Sequence, residues 1–487
     1  MKIKKNYIIL GLILLLAFFL RIYNYSKYSY AFYDEGVHSY FGIQSSKDLV
    51  LGTMYQPPVL FQIYGFFYSI FKDVMVFRLL NIFFSVTSII LCFIWVKNNF
   101  SIKEALLVCL LLATTTIHIE YSQFLNQDSL LMCLGLLSLI LIDYSKKSKN
   151  LLFFIFSGVV IGIGVFTKFT FFVFNGVIIL YLFFFQKMKN IKKYICLFLG
   201  EGIIILIFLM PYIIVFFNNS SSIYSITNYF QAYSAENLGS SNSSIFDNIS
   251  FYSAGMMEVL GFGLILLLYS LFFNKLKETK YNFLILWIIL VFLFTLVFLK
   301  QSLRYLFIQN LMIIPLLIYI SKSLFFEKRT FYILLSLILS YNLYFCYNFI
   351  NNNQMVQETV FRYIDNDAFN QVLYYLNQNA PKNSIIMSNE PYLFLSVETN
   401  FPITSNYEPH ISCPNTAISY FVLVYSKANN YNGFDPNLVN NYPQYYSLEN
   451  KVESENNIFY IFKVNGSDEC KTIVSPIKTG LYLSDII

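Results

Sequence analysis

Residues 146–193 read KKSKNLLFFIFSGVVIGIGVFTKFTFFVFNGVIILYLFFFQKMKNIKK, and this stretch decides the class of fold. Lys146, Lys147 and Lys149 stand at one end, and Lys187, Lys189, Lys192 and Lys193 at the other. Between them the apolar runs 150–167 and 169–186 meet at Thr167-Lys168. Each is about as long as a helix that crosses the hydrocarbon core. The stretch therefore predicts a helical hairpin with both basic ends on one side of a membrane.

Working outward, similar runs lie near 6–23, 74–96, 104–119, 127–144, 194–217, 251–273, 281–299, 304–321 and 330–350. With a cytoplasmic N-terminus, every inner loop is basic. They hold Lys2, Lys4 and Lys5; Lys97 and Lys103; the two clusters above; Lys275, Lys277 and Lys280; and Lys322, Lys328 and Arg329. The outer loops near 119–127 and 218–250 hold no Lys or Arg. This alternation follows the positive-inside rule and predicts about eleven transmembrane helices. The expected fold class is a polytopic α-helical membrane protein, with a membrane domain over 1–350 and a small α/β domain over 351–487. The odd number of spans puts that second domain outside.

Composition agrees. The chain is 57% hydrophobic and 12% charged, about half the charge of a soluble domain. The formal net charge of +6 sits on Lys residues spread between apolar runs, which fits membrane orientation rather than nucleic acid. The cysteines show no metal spacing. Cys92, Cys109, Cys133 and Cys196 lie in apolar runs as small hydrophobes. The first run, Tyr7–Leu20, is followed by Arg21-Ile-Tyr-Asn-Tyr and not by a small-x-small cleavage site, so it reads as a retained span. In the tail, a helix is expected at Ala368–Gln378 and strands at Ser384–Met387, Tyr420–Tyr425, Tyr445–Leu448 and Ile458–Val464. Cys413 and Cys470 face an oxidising exterior and form a candidate disulfide.

The first outer loop, 24–73, carries the chemistry. It contains Tyr33-Asp-Glu-Gly-Val-His-Ser-Tyr-Phe-Gly, then Tyr55-Gln-Pro-Pro-Val-Leu, then the short apolar run Val59–Phe71. That run is too short to span and reads as an interfacial helix started by Pro57-Pro58. Glu120, Asp128, Asp247 and Glu258 fall at the same membrane level, as do Arg78, Lys168, Lys300 and Arg304. Acids and cations at one depth suit a hydroxyl-bearing substrate together with a phosphate. A carboxylate can take a proton from the hydroxyl; Arg and Lys can hold the phosphate as it leaves.

In this arrangement the chain resembles the GT-C superfamily of polyprenyl-phosphate-sugar-dependent glycosyltransferases, in its protein O-mannosyltransferase and aminoarabinose-transferase (ArnT-like) branch. The matching elements, in order, are Asp34-Glu35, Gln56-Pro57-Pro58-Val59-Leu60, Arg78-Leu79-Leu80, Gly158–Lys168 and Arg304-Tyr305-Leu306. The resemblance implies transfer of a single sugar from a polyprenyl monophosphate to an acceptor hydroxyl on the extracytoplasmic face, with inversion at the anomeric carbon. Asp34 is then the general base, with Glu35 and Asp128 as further acids. Arg78, Lys168, Lys300 and Arg304 become the phosphate ligands, with Tyr305, His38 and Gln56 beside the substrate. These cations replace a divalent metal, so neither metal nor cofactor is expected. The expected partners are the lipid-linked donor, a protein, lipid or glycan acceptor, and membrane lipids, with no nucleic acid. The expected location is the plasma membrane of a prokaryote.

The sequence departs from the mannosyltransferase pattern in two places. Gly36 and Val37 separate the acidic pair from His38, and Gln56 precedes the prolines where some relatives carry Lys or His. The Trp-Trp-Asp signature of oligosaccharyltransferases is absent. Each residue also has a plainer reading. Asp34 is a possible cap for a helix starting at Glu35, Glu35 a supporting or acceptor contact turned about 100° from Asp34, and His38 a structural hydrogen-bonding residue. Arg78 is a snorkelling residue, Lys168 a turn residue, Arg304 an interface anchor and Asp128 a helix-dipole partner. At the level of the whole chain, the alternatives are a transporter or flippase of lipid-linked sugars and a non-catalytic membrane assembly protein.

Overall fold

The computed structural model describes residues 2–23, 28–30, 33–53, 57–148, 150–186, 191–218, 246–247, 249–250, 252–253, 279–297, 313–324, 328–352, 364–381, 385–388, 403–404, 418–426, 442–454, 457–466 and 480–482. The helices are α1 (Lys2–Ile22), α2 (Tyr33–Ser45), α3 (Val59–Phe71), α4 (Met75–Asn99), α5 (Ile102–Thr114), α6 (Thr116–Gln123), α7 (Asp128–Ser148), α8 (Leu152–Val165), α9 (Val173–Gln186), α10 (Ile191–Asn218), α11 (Thr279–Val297), α12 (Ile313–Leu324) and α13 (Lys328–Asn352). Among the described residues, four helices, α1, α4, α7 and α10, are long and apolar enough to cross a membrane. A fifth candidate is the pair α5 and α6, bent by 58°. These helices agree with a polytopic helical class, and the count of about eleven spans is a separate expectation that they do not decide. The runs at 150–167 and 169–186 form the 14-residue helices α8 and α9, joined by a 3₁₀ turn at Phe169–Phe172. Fourteen helical residues rise only about 21 Å. The run at 251–273 lies almost wholly outside the described residues.

Residue chemistry explains the elements. Ser101 caps α5 by accepting from the Glu104 amide at 3.2 Å, a cap legible as Ser-x-x-Glu. Helices α8 and α10 cross with their backbones in contact. A Cβ on Gly158 would stand 1.9 Å from the Leu197 carbonyl oxygen, and one on Gly200 2.0 Å from that of Ile155. Small residues allow such an approach between apolar helices, where packing rather than water exclusion drives association. Beside this crossing the buried Glu201 accepts from Asn175 at 2.7 Å.

One end of the bundle is closed by polar contacts among the loops expected to be internal. Asp143 accepts from Asn99 at 2.7 Å and from the Tyr181 hydroxyl. Lys280 donates to the Asn99 carbonyl at 2.6 Å, and Tyr281 to Glu104 at 2.8 Å. Lys322 lies 3.5 Å over the Tyr281 ring. Trp95 and Trp287, both fully buried with ring centroids 6.0 Å apart, pack beneath.

The tail forms a five-stranded sheet flanked by helix α14 (Asn366–Asn379). The strands are β4 (Ile385–Ser388), β5 (Ile403–Thr404), β6 (Ile418–Ser426), β7 (Tyr446–Glu453) and β8 (Asn457–Val464), in the order β5-β4-β6-β8-β7. β4 runs parallel to β5 and β6, while β8 is antiparallel to β6 and β7. Phe369, Val372 and Leu376 of α14 share a core with Val422, Val424, Phe459 and Ile461. The expected helix and four strands fall within a few residues of these elements.

The boundary at 350 is bridged, which the sequence reading did not foresee. Strand β1 (Tyr28–Tyr30) pairs antiparallel with β3 (Ile364–Asp365), and β2 (Val50–Thr53) with β9 (Gly480–Tyr482). The first loop therefore hydrogen-bonds to the tail on both sides of α2. Cys413 and Cys470, and with them the candidate disulfide, lie outside the described residues.

Candidate active site

The site is built on the short helices α2 and α3 and the N-terminal ends of two long ones. α3 begins after Pro57-Pro58, as expected, because Pro lacks the N–H that a first turn leaves unused. It ends at Lys72 in the left-handed region (φ 55°), where the Lys72 amide meets the Tyr68 carbonyl at 2.9 Å. Leu60, Phe61 and Tyr64 are fully buried, while Phe66, Ile70 and Phe71 are exposed on the far face. α2 packs on α3 at close range: a Cβ on Gly65 would stand 2.7 Å from the Ser45 backbone carbon.

This packing buries the acidic pair's second member. Glu35 is fully buried. Its Oε2 accepts from Arg78 Nη2 at 3.0 Å, and its Oε1 from the Leu125 amide at 2.7 Å. Arg78, near the start of α4, is itself buried, so the pair is a desolvated, charge-assisted contact. One turn on from Glu35, His38 Nδ1 stands 2.6 Å from the Leu125 carbonyl, and Gln127 Nε2 lies 3.2 Å from His38 Nε2. Since a carbonyl only accepts, Nδ1 carries the proton and Nε2 accepts from the Gln127 amide. Side chains of α2 thus grip the Leu125 peptide on both its amide and its carbonyl.

The Phe124–Gln127 connection is also held from beneath. Asn81 donates to the Phe124 carbonyl and accepts from the Tyr64 hydroxyl at 3.0 Å. Burial pushes the Tyr64 phenol up, the Asn81 hydrogen bond opposing it, so the phenol remains a donor. Asn126 donates to Tyr121 at 2.5 Å and accepts from the Asp128 amide at 2.9 Å. Asp128 opens α7, buried, with its Oδ1 3.7 Å from Lys168 Nζ. Lys168 stands in extended backbone after α8, and the neighbouring Phe166 carbonyl accepts from the Val59 amide at 3.2 Å. The turn bearing Lys168 is thereby tied to the start of α3.

The structure thus brings Glu35, His38, Arg78, Asp128 and Lys168 into one assembly. Helix α2 begins at Tyr33, so Asp34 is in its first turn and is not the residue before a helix that starts at Glu35. Gln56, Lys300, Arg304, Tyr305 and Glu258 lie outside the described residues. Glu120 is buried on α6. No group of His, Cys, Asp and Glu among the described residues has a metal-binding arrangement. The sequence reading missed the Leu125 peptide, which carries no side-chain signal, and Asn81 and Tyr64. Asn81 stands one turn after Arg78 in an apolar run, and that polar position was its available signal.

Residues 55–215 match the family described as dolichyl-phosphate-mannose-protein mannosyltransferase. ArnT from Cupriavidus metallidurans, solved bound to undecaprenyl phosphate, superposes with a TM-score of 0.65 at 10% identity. The match covers 93% of this chain and 97% of that one. The fold is that of the GT-C glycosyltransferases. The GT-C likeness extends to the apo oligosaccharyltransferase of Archaeoglobus fulgidus, with a TM-score of 0.56 at 12% identity over 86% of this chain and 69% of that one. No curated protein matches the sequence. The long apolar helices, together with this likeness, support an integral membrane protein.

Proposed function

We propose that this protein is an integral-membrane glycosyltransferase that moves one sugar from a polyprenyl monophosphate to an acceptor hydroxyl on the extracytoplasmic face. The observation that carries the reading is the convergence of Glu35, His38, Arg78, Asp128 and Lys168 where α2 and α3 pack on the ends of α4 and α7. A fold shared with a protein that binds undecaprenyl phosphate supports it.

Asp34 takes the proton from the acceptor hydroxyl as that oxygen attacks the anomeric carbon. The bond to the phosphate oxygen breaks, and cations hold the departing phosphate. The Glu35–Arg78 pair gives those two residues a placing role: together with Leu125 they fix the turn of α2 that bears Asp34. Lys168, set against Asp128 and partly exposed, suits the phosphate. Lys300 and Arg304 complete that set, with Tyr305 and Gln56 beside the donor. The α/β tail is extracytoplasmic, and the membrane is the plasma membrane of a prokaryote.

One observation favours a transporter of lipid-linked sugars instead: α5 and α6 form an interrupted span, as discontinuous helices do in transporters. One assay separates the two. Purified protein, a donor carrying a labelled sugar and a hydroxyl-bearing acceptor should yield free polyprenyl phosphate and labelled acceptor. Movement of intact donor across a vesicle membrane with no release of phosphate would establish the transporter.

A further inference from the structure

Arg21 closes α1 with its side chain fully buried, and the roles above do not use it. A guanidinium offers five N–H donors and accepts nothing. Here all five are met. Nε donates to Ser85 Oγ at 2.7 Å; Nη1 to the carbonyls of Ala17 and Ala113 at 2.9 and 3.1 Å; Nη2 to the Leu112 carbonyl at 3.4 Å and to His118 Nδ1 at 2.5 Å. His118 therefore holds its proton on Nε2, which faces Ser88 Oγ at 3.4 Å and Met132 Sδ at 3.2 Å.

The Leu112 and Ala113 carbonyls belong to the last turn of α5, where a helix end leaves carbonyls without intrahelical partners. Thr115 supplies the Leu111 carbonyl at 2.7 Å. Arg21 supplies the next two. The tie is reciprocal, because Gln123 at the end of α6 donates to the carbonyls of Leu20, Arg21 and Tyr23 at 3.4, 3.1 and 3.2 Å. The termini of α1 and of the interrupted span thus cap one another. Without the guanidinium, the direct way to satisfy these carbonyls in an apolar setting is an unbroken helix from Ile102 to Gln123. That helix would lack the 58° bend and would carry the Leu125 peptide and Asp128 elsewhere.

We propose that Arg21 is a positioning residue for the reaction: it holds the bend at Thr115, and the bend sets where Leu125 and Asp128 stand. The activity part of this inference rests on the glycosyltransferase reading; the placement part does not. The test uses the full-length protein with Arg21→Lys, which keeps the charge but presents all its donors from one nitrogen. Arg21→Gln, with two N–H donors, is the second variant if the first does not insert. Turnover per folded molecule should fall about 100-fold, the scale of a misplacement of about 1 Å. Amide hydrogen exchange should rise across 112–127 while 75–99 and 191–218 keep their protection. Full turnover, or exchange that is unchanged in 112–127 or raised equally in all three stretches, would overturn the proposal. If the parent protein transfers no sugar, the glycosyltransferase reading fails, and the exchange pattern alone still decides whether Arg21 holds the bend.

Discussion

Asp34 and Glu35 are neighbours in sequence and differ in circumstance. Side chains one apart on a helix point about 100° from each other. Glu35 turns inward onto Arg78 and Leu125, which is why the proposal gives the proton-taking role to Asp34. Asp34→Asn keeps size and hydrogen bonding but cannot accept a proton; it should lower turnover by about 10²–10⁴-fold with donor binding retained. Arg304→Gln should weaken donor binding as well. Full transfer by the Asp34 variant would send the search for the base to Asp128. Glu35→Gln should act on stability, since breaking one side of a buried pair costs about 3–5 kcal/mol. Thermal unfolding in detergent reads that loss, and Glu35→Gln combined with Arg78→Leu should lose less than the two single variants added together. An unfolding temperature unmoved by Glu35→Gln would remove its structural role. Much of this site was legible because ionisable residues next to apolar runs stand out by type. The partner of Glu35 on the other side was not, because a backbone amide leaves no mark in a sequence.

Among the elements, the interrupted span was the least foreseeable. The reading of 104–119 as one span followed its hydropathy, and the structure breaks the helix at Thr115. The break depends on Arg21, ninety-four positions earlier, and side-chain contacts of that range have no local periodicity. The run Thr114-Thr115-Thr116 was the one nearby signal, since Thr hydroxyls compete for helix carbonyls. The crossing of α8 and α10 is the opposite case, because its glycines announce a close approach. Gly158→Leu would drive a side chain into the Leu197 carbonyl and should destabilise the protein by at least the ~1–3 kcal/mol of ordinary overpacking. An unchanged unfolding temperature in detergent would mean that the two helices separate freely.

For the whole molecule, orientation is the first thing to measure. The proposed topology places single cysteines at 148, 190, 277 and 325 inside, and at 230 and 430 outside. Labelling 190 and 430 from the same side would end it. Cys413 and Cys470 are expected to resist alkylation until reduced; a bond closing a loop of about 57 residues stabilises by about 2–4 kcal/mol. Mass spectrometry finding both alkylated without a reductant would reject the bond. The positive-inside pattern made the membrane class readable, and short runs rich in β-branched and aromatic residues made most of the tail's sheet readable. The pairings of β1 with β3 and β2 with β9 were hidden, since two- to four-residue strands are too short to carry a period. Those pairings also bear on synthesis. Val50–Thr53 leaves the ribosome early and meets its partner Gly480–Tyr482 only after about 430 more residues are made, roughly 20–90 s later at typical elongation rates. Until then the helix that carries Asp34 and Glu35 lacks at least half its bracket, so a nascent or prematurely stopped chain holds that acidic pair unassembled while synthesis continues.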